Sequence, residues 1–242
     1  MVYEPIMERF KFSVALPNYN DGHFLRECLN SLLCQDYENY EVWVYDNQST
    51  DNSVYIIKEY IEKDNRFHLI EAPKHYPHGS HGINEVIKNY ATGELATWIN
   101  ADDQFHSNYF STLAPYFENP DVGFVRIALR AYMAETPQEK TIMPPSTWKR
   151  PLEILNCNQV FPMSPFRREV FLNVDGIDEE ERFWDWDFWI KVFLAGYQYE
   201  SCSTPLVTRK IHGNWTPTSF RLAVQSIKYK YADISDKYKK EE

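Results

Sequence analysis

Three times in succession an apolar run stops abruptly in amides and carboxylates. Phe10 to Leu16 runs into Pro17-Asn18-Tyr19-Asn20-Asp21, Val42 to Tyr45 into Asp46-Asn47-Gln48-Ser49-Thr50-Asp51, and Leu95 to Ile99 into Asn100-Ala101-Asp102-Asp103. Each run has the length and apolar character of a strand. Between them lie segments whose apolar residues recur at three and four residue spacing, the stripe of an amphipathic helix. Phe24, Leu25, Cys28, Leu29, Leu32 and Leu33 make the first; Val54, Ile57, Tyr60 and Ile61 the second, with Asp51 or Thr50 as its N-cap; Ile83, Val86, Ile87 and Tyr90 the third. Phe67 to Ile70 adds a short strand. Strand and helix in strict alternation predict an α/β fold with a parallel sheet wound by right-handed crossovers. Strand ends of such a sheet open on one crevice, so the three polar tails are expected to meet at a binding site.

The remaining composition narrows what that site does. With 43% hydrophobic and 25% charged residues over 242 positions, the chain reads as one globular domain with a real core. An aromatic share of 16% points to aromatic-lined clefts. A formal net charge of -10 argues against a general nucleic-acid binder. Cys28, Cys34, Cys157 and Cys202 form no CxxC pair and read as reduced thiols of a cytoplasmic protein. No apolar stretch approaches membrane-spanning length, and Met1 to Arg9 does not read as a signal peptide, so Asn214-Trp215-Thr216 is read as a chance glycosylation match. The glycine loops GxxxxGK[ST] and GxGxxG that cradle phosphate are missing, and acids stand in their place. Such a site handles a diphosphate through a divalent cation bridging carboxylate and phosphate oxygens. The loop Ala72 to Gly82 holds His75, His78 and His81, which reads as a polar border of the cleft rather than a zinc site, for which a fourth ligand and thiolates are lacking.

The motifs in their order, Pro17-Asn18-Tyr19-Asn20, Asp46 to Asp51, Ile83-Asn84, Ala91-Thr92-Gly93-Glu94 and Asn100-Ala101-Asp102-Asp103, resemble the N-terminal half of family 2 glycosyltransferases of the GT-A fold. The resemblance continues through Phe166 to Phe171, Val174 to Glu179 and Asp185-Trp186-Asp187-Phe188-Trp189-Ile190-Lys191, and fades after about Ser219. It implies a Rossmann-like, mostly parallel central sheet flanked by helices, with a smaller acceptor-side C-terminal part. Residues 1–219 would form one domain, 10–103 holding the sugar nucleotide and 104–219 the acceptor, with 220–242 a C-terminal tail or helix.

By the same resemblance Pro17, Asn18, Tyr19, Asp46, Asn47, Asn100 and Asp102 would contact a UDP- or dTDP-type sugar, Asn47 standing where the family commonly has a second acid. Asp102, Asp103 and His212 would hold Mg2+ or Mn2+, Asn100 replacing the first acid of the family's Asp-x-Asp signature. Asp185 would take the proton from the acceptor hydroxyl in an inverting transfer, with Trp184 in place of the usual preceding Glu. Trp186, Asp187 and Trp215 are weaker acceptor contacts. Arg167, Arg168, Lys191, Arg209 and Lys210 are further cations, read as solvated by default. The acceptor would be a hydroxyl of a glycan or lipid-linked glycan. The Lys- and Tyr-rich tail reads as a solvated helix or frayed end, with peripheral contact to an anionic membrane as its functional alternative. A catalytically silent sugar-nucleotide or glycan-binding domain is the rival reading, and a nucleotidyltransferase a further one.

Overall fold

The computed structural model describes residues 9–133, 136–142, 154–158, 160–211 and 217–234. The first half follows the predicted alternation: β1 (Phe12–Asn18), α1 (Gly22–Leu33), β2 (Tyr40–Asp46), α2 (Ser53–Lys63), β3 (Phe67–Glu71), α3 (Ser80–Glu85) and β4 (Leu95–Trp98). The third helix differs from expectation in its second half, where Val86–Tyr90 widens into a π-helix. Arg168 donates to the Ile87 and Lys88 carbonyls at 2.9 and 3.1 Å, satisfying groups that a helix end would otherwise leave orphaned. The remaining elements are β5 (Gln104–Phe105), α4 (Tyr109–Leu113, continued as a 3-10 turn), β6 (Val122–Met133), β7 (Thr136–Ile142), β8 (Phe166–Arg167), α5 (Arg168–Asn173), α6 (Trp184–Leu194), β9 (Gln198–Ile211) and α7 (Pro217–Lys230).

The strands run in the order β3-β2-β1-β4-β8-β6-β9-β5, with β7 on β6. The first four are mutually parallel, and β6 pairs in parallel with β9, while β8 enters antiparallel between β4 and β6. Alternation along β1 sorts its side chains: Phe12, Val14 and Leu16 join the core beneath α1 and α2, and Ala15 joins the opposite core. The predicted stripe of α1 is the one that packs, with Leu25, Cys28, Leu29 and Leu32 all buried. Strand β9 is the longest of the second half, running 14 residues from Gln198 to Ile211. Its register against β6 slips between Cys202 and Pro205, where proline has no N–H to offer the ladder.

Two polar ties fix the frame. Glu41, 5% exposed, accepts from Lys11 Nζ, Ser13 Oγ and the Thr92 backbone at 2.6, 2.6 and 2.7 Å, joining β1, β2 and the turn before β4. Burial alone would raise its pKa, but these donors outweigh it and hold the carboxyl at about 2. The second tie corrects the reading of the tail as solvated or frayed. Helix α7 starts at Pro217, before the expected boundary at 219, and buries Ala223, Ile227 and Tyr231 in the same core as Phe188 and Trp189 of α6. Asp187, also fully buried, accepts from Tyr231 Oη at 2.7 Å and Lys230 Nζ at 2.8 Å, and Lys230 reaches Asp178 at 2.9 Å. Among the described residues no helix is long and apolar enough to cross a membrane.

Because the Glu41 carboxyl is lowered on folding, its stabilisation is full above its unfolded value of 4.5 and is lost as pH falls toward 2. Glu41→Gln is therefore expected to lower unfolding free energy at pH 7 by about 2 kcal/mol, a gap that closes in denaturant titrations run from pH 4.5 downward. Lys230→Met leaves a buried carboxylate with one donor fewer and is expected to cost about 1–3 kcal/mol; adding Asp187→Leu should restore part of that loss in the same titrations.

Candidate functional site

Strands β1 and β2 end side by side, Asn18 opposite Asp46, and their loops are buttoned together. Asn18 Nδ2 donates to Asp46 Oδ1 at 2.8 Å, and Ser49 closes on the same carboxylate through its hydroxyl at 2.6 Å and its backbone N–H at 2.9 Å. Asn20 and Gln48 carry positive φ of 56° and 62°, conformations asparagine tolerates well, and the Asn20 side-chain oxygen accepts from Thr50 N at 2.7 Å. Asp51 corrects the predicted cap. The N-cap of α2 is Asn52, and Asp51 accepts instead from Ser53 N and from Gly22 N, both at 2.9 Å, so one carboxylate serves the first turns of α1 and α2. A Cβ on Gly22 would stand 2.9 Å from that carboxylate, which is why the position is glycine.

Around these ends opens a cleft of about 570 Å³ lined by Pro17, Asn18, Tyr19, Asn47, Asn100 and Asp102, among others. Asp46, the remaining predicted nucleotide contact, is 2% exposed and does not line it; its oxygens are taken up by the loop fastening just described. The loop from Ala72 to Gly82 forms the opposite wall through His75, Tyr76, His78 and Gly79. Asn47 holds that wall in place. Its Nδ2 donates to the Tyr76 carbonyl at 2.8 Å while its Oδ1 accepts from Tyr76 N at 2.9 Å, a two-way pairing open to an amide and closed to a carboxylate.

The three histidines separate into different tasks. His75 donates through Nδ1 to the Asn47 carbonyl at 3.2 Å and packs on the ring of Tyr19. His81 stacks on Tyr76 at 3.5 Å and meets Glu179 through Nδ1 at 2.9 Å, and His78 faces the cleft. Glu179 also accepts from Asn84, whose amide pairs both ways with Ile177, with 2.9 Å in each contact. The motif around Asn84 and the one around Gly176 are thereby brought together. At Gly176, φ is +65°, and a Cβ would stand 2.5 Å from the Asn84 oxygen.

The third loop splits the predicted metal pair. Asp102 lines the cleft, whereas Asp103 is 1% exposed and turned into the protein, its Oδ2 accepting from Asn100 Nδ2 at 3.0 Å. Burial pushes the Asp103 carboxyl up to about 7, against the opposing charge of Arg209 and with the repulsion of Asp102. Among the described residues no three His, Cys, Asp or Glu side chains converge into a preformed metal cage. His212 and Trp215 lie outside the described residues.

The second acidic station is the first turn of α6. Asp185 is not among the cleft-lining residues, but its neighbour Trp184 is. Burial raises the Asp185 carboxyl; Arg209, two backbone N–H groups and Asn158 draw it back. The two weaker acceptor contacts on this helix are corrected. Trp186 is 3% exposed and donates through Nε1 to the Ile154 carbonyl at 2.6 Å, and Asp187 is buried against α7. Of the cations, Arg167 donates to the Val122 carbonyl at 2.9 Å and the Phe117 carbonyl at 2.7 Å, and Lys191 to the Gly176 carbonyl at 2.5 Å. Lys210 stands 4.6 Å from the ring of the cleft residue Phe24. Sequence reading missed Phe24, Tyr76 and Asn158: Phe24 looks like part of the α1 stripe, and the other two sit in no motif.

Residues 13–174 match the family model described as Glycosyl transferase family 2. The chain therefore belongs to family 2 of the glycosyltransferases, and its fold is GT-A. It is 29% identical over 102 residues to the UDP-Glc:alpha-D-GlcNAc-diphosphoundecaprenol beta-1,3-glucosyltransferase WfgD of Escherichia coli, covering 42% of this chain and 39% of that protein. TarS 1-349 of S. aureus, solved in complex with UDP-GlcNAc, superposes with a TM-score of 0.72 at 21% identity, over 90% of this chain and 65% of TarS 1-349. The mannosyltransferase PcManGT of Pyrobaculum calidifontis, solved with GDP-Man and Mn2+, superposes at 0.66 and 18% identity, over 92% and 64%. Across eight curated relatives the matched chain spans 14–60% of their length.

Asn47→Asp keeps the bond from Tyr76 N but sets a carboxylate against the Tyr76 carbonyl. The expected result is a loss of about 1–3 kcal/mol and faster hydrogen exchange at the Tyr76 amide, read by mass spectrometry across residues 72–82.

Proposed function

We propose that this chain moves one sugar from a nucleoside-diphosphate sugar of the UDP or dTDP type to a hydroxyl of a glycan or lipid-linked glycan, with inversion. The observation that carries the reading is the cleft itself. Ends of three parallel strands line it, Asp102 faces into it, and the helix bearing Asp185 borders it through Trp184. The glucosyl transfer from UDP-Glc to alpha-D-GlcNAc-diphosphoundecaprenol by WfgD and the UDP-GlcNAc bound by TarS support this donor and acceptor class.

In this reading Pro17, Asn18 and Tyr19 receive the base and ribose, the Tyr19 ring being 46% exposed at the wall opposite His78 and available for stacking. Asp46 acts from behind by fastening the first two loops, and Asn47 lines the cleft while holding the loop of Tyr76 in place. Asn100 and Asp102 face the diphosphate. Residues 10–103 serve as the donor half and 104–219 as the acceptor half, to which the tail from 220 onward is joined through α7. Among the described residues Asp21 and Asp102 line the cleft, and Asp102, on the third loop, fits Mg2+ or Mn2+, which accept one protein acid and complete their shell with phosphate oxygens and water; PcManGT was solved with Mn2+. Such an ion would be held by Asp102 and would neutralise the leaving diphosphate.

The transfer balances without further reactants. Asp185 takes the proton of the acceptor hydroxyl, the hydroxyl oxygen bonds to the anomeric carbon, and the bond from that carbon to the diphosphate breaks, its electrons leaving with the nucleotide. A carboxyl raised by burial is the stronger base for this work. If the acceptor is lipid-linked, the protein works at the cytoplasmic face of a membrane.

The test joins turnover to binding. UDP release from UDP-glucose and UDP-GlcNAc is measured with Mn2+, with and without a lipid diphosphate carrying α-GlcNAc, beside thermal shifts with UDP, dTDP and GDP. Asp185→Asn is expected to cut transfer by about 10²–10⁴ while leaving the UDP shift intact. Asp102→Asn should abolish the Mn2+-dependent part of that shift. Binding without any release from either donor would assign the protein to the silent-binder class instead.

A further inference from the structure

Between β7 and β8 the stretch 154–158 braces the first turn of α6 at two adjacent residues. Ile154 accepts from the Trp186 indole at 2.6 Å, and Asn158 Nδ2 donates to Asp185 Oδ2 at 3.2 Å. Ile154 and Leu155 are both buried, so the stretch is anchored beside the helix rather than resting on it. The far end of the Asn158 amide is also committed. Its Oδ1 accepts from Val160 N at 3.2 Å. That bond settles which way the amide points, because a flipped amide would set N–H against N–H at Val160 and oxygen against carboxylate at Asp185.

We propose that Asn158 is a positioning residue for sugar transfer, holding Oδ2 of Asp185 so that the carboxylate plane meets the acceptor hydroxyl in one orientation. The inference rests on the reading of Asp185 as the base. Two features argue for a role beyond packing. Asp185 stands at the first turn of its helix, so its side chain is braced by what meets it from outside rather than by helical neighbours on both sides. The other groups that act on it are the charge of Arg209 on β9 and the backbone N–H groups of Asp185 and Trp186; Asn158 is the neutral side-chain donor among them. A neutral donor orients a carboxylate while lowering its basicity less than a charged partner would. A cation at that position would orient it equally well and weaken it as a base.

The experiment uses the full chain with Asn158→Ala and Asn158→Asp, beside Asp185→Asn, and follows UDP release from UDP-glucose or UDP-GlcNAc. Loss of the brace is expected to lower kcat about ten- to a hundredfold, the size associated with a hydrogen bond to a charged group, with donor KM within about twofold and an unchanged UDP thermal shift. Asn158→Asp replaces the donor with a second carboxylate. The acidic limb of its kcat/KM profile should move to higher pH than in wild type, and further than in Asn158→Ala. Wild-type kcat and pH limb in both Asn158 variants, with Asp185→Asn inactive, would overturn the proposal and leave the base reading standing. So would a parallel fall in kcat, donor affinity and thermal stability, which would make the contact merely structural. Activity retained in Asp185→Asn, or no release from either donor by the wild type, would remove the base reading and this proposal with it.

Discussion

A parallel sheet delivers its strand ends to one crevice, and the loops that leave them carry backbone groups with no strand partner. In this protein side-chain amides of asparagine supply the missing partners. Asn47 pairs both ways with Tyr76, Asn84 both ways with Ile177, and Asn18 and Asn20 bind the first loop to the second. An amide offers a donor and an acceptor about where a peptide would, so it extends the hydrogen-bonding logic of the sheet into loops that the sheet itself cannot reach. Each of these two-way pairings holds one loop in place. The loop of His75 and His78 hangs on Asn47, and the turn carrying Glu179 hangs on Asn84.

This recasts the positions where the chain has asparagine in place of an acid. Read from sequence, Asn47 and Asn100 are losses of charge at a site that binds a diphosphate. In the folded protein Asn47 makes a contact that aspartate would break, and Asn100 donates to the buried Asp103. Substitution of amide for acid is thus linked to the construction of the cleft walls as well as to its charge.

The half of the fold set by local periodicity was legible from the residues. Strands β1, β2, β3 and β4 and the stripes of α1 and α2 announce themselves because apolar spacing and burial coincide there. The convergence of Asn18, Asn47, Asn100 and Asp102 on one cleft followed from the rule for parallel sheets. What escaped depends on partners distant in sequence. Asp187 looks like a cleft residue until Tyr231, from a helix read as a tail, is seen to bind it. Trp186 looks like a sugar platform until its indole meets Ile154, and Asp103 is indistinguishable from Asp102 until the turn rotates one carboxylate inward. A helix stripe or a strand end tells which residues share a face; it does not tell what lies across from them. The π-helix at Val86–Tyr90 likewise depends on Arg168, about eighty positions away in the chain.

The balance of charge at the cleft ties these points to function. A site proposed to admit a diphosphate cannot be crowded with ionised acids, because each unscreened carboxylate near the phosphates opposes entry. Here Asp21 and Asp102 line the cleft, Asp46 and Asp103 are folded away from it, and burial shifts Asp103 toward its neutral form with a pKa of about 7. Arg209 opposes the charge of both Asp103 and Asp185, so the two acidic stations share one cation. Moving Asp103 inward and placing amides at 47 and 100 therefore act in the same direction: they reduce the negative charge a donor would meet. On the third loop they leave Asp102 as the carboxylate that would meet the proposed divalent cation. An ion held by Asp102 in the proposed way would draw further ligands from the donor's own phosphate oxygens and from water, and its affinity would then depend on the nucleotide being present.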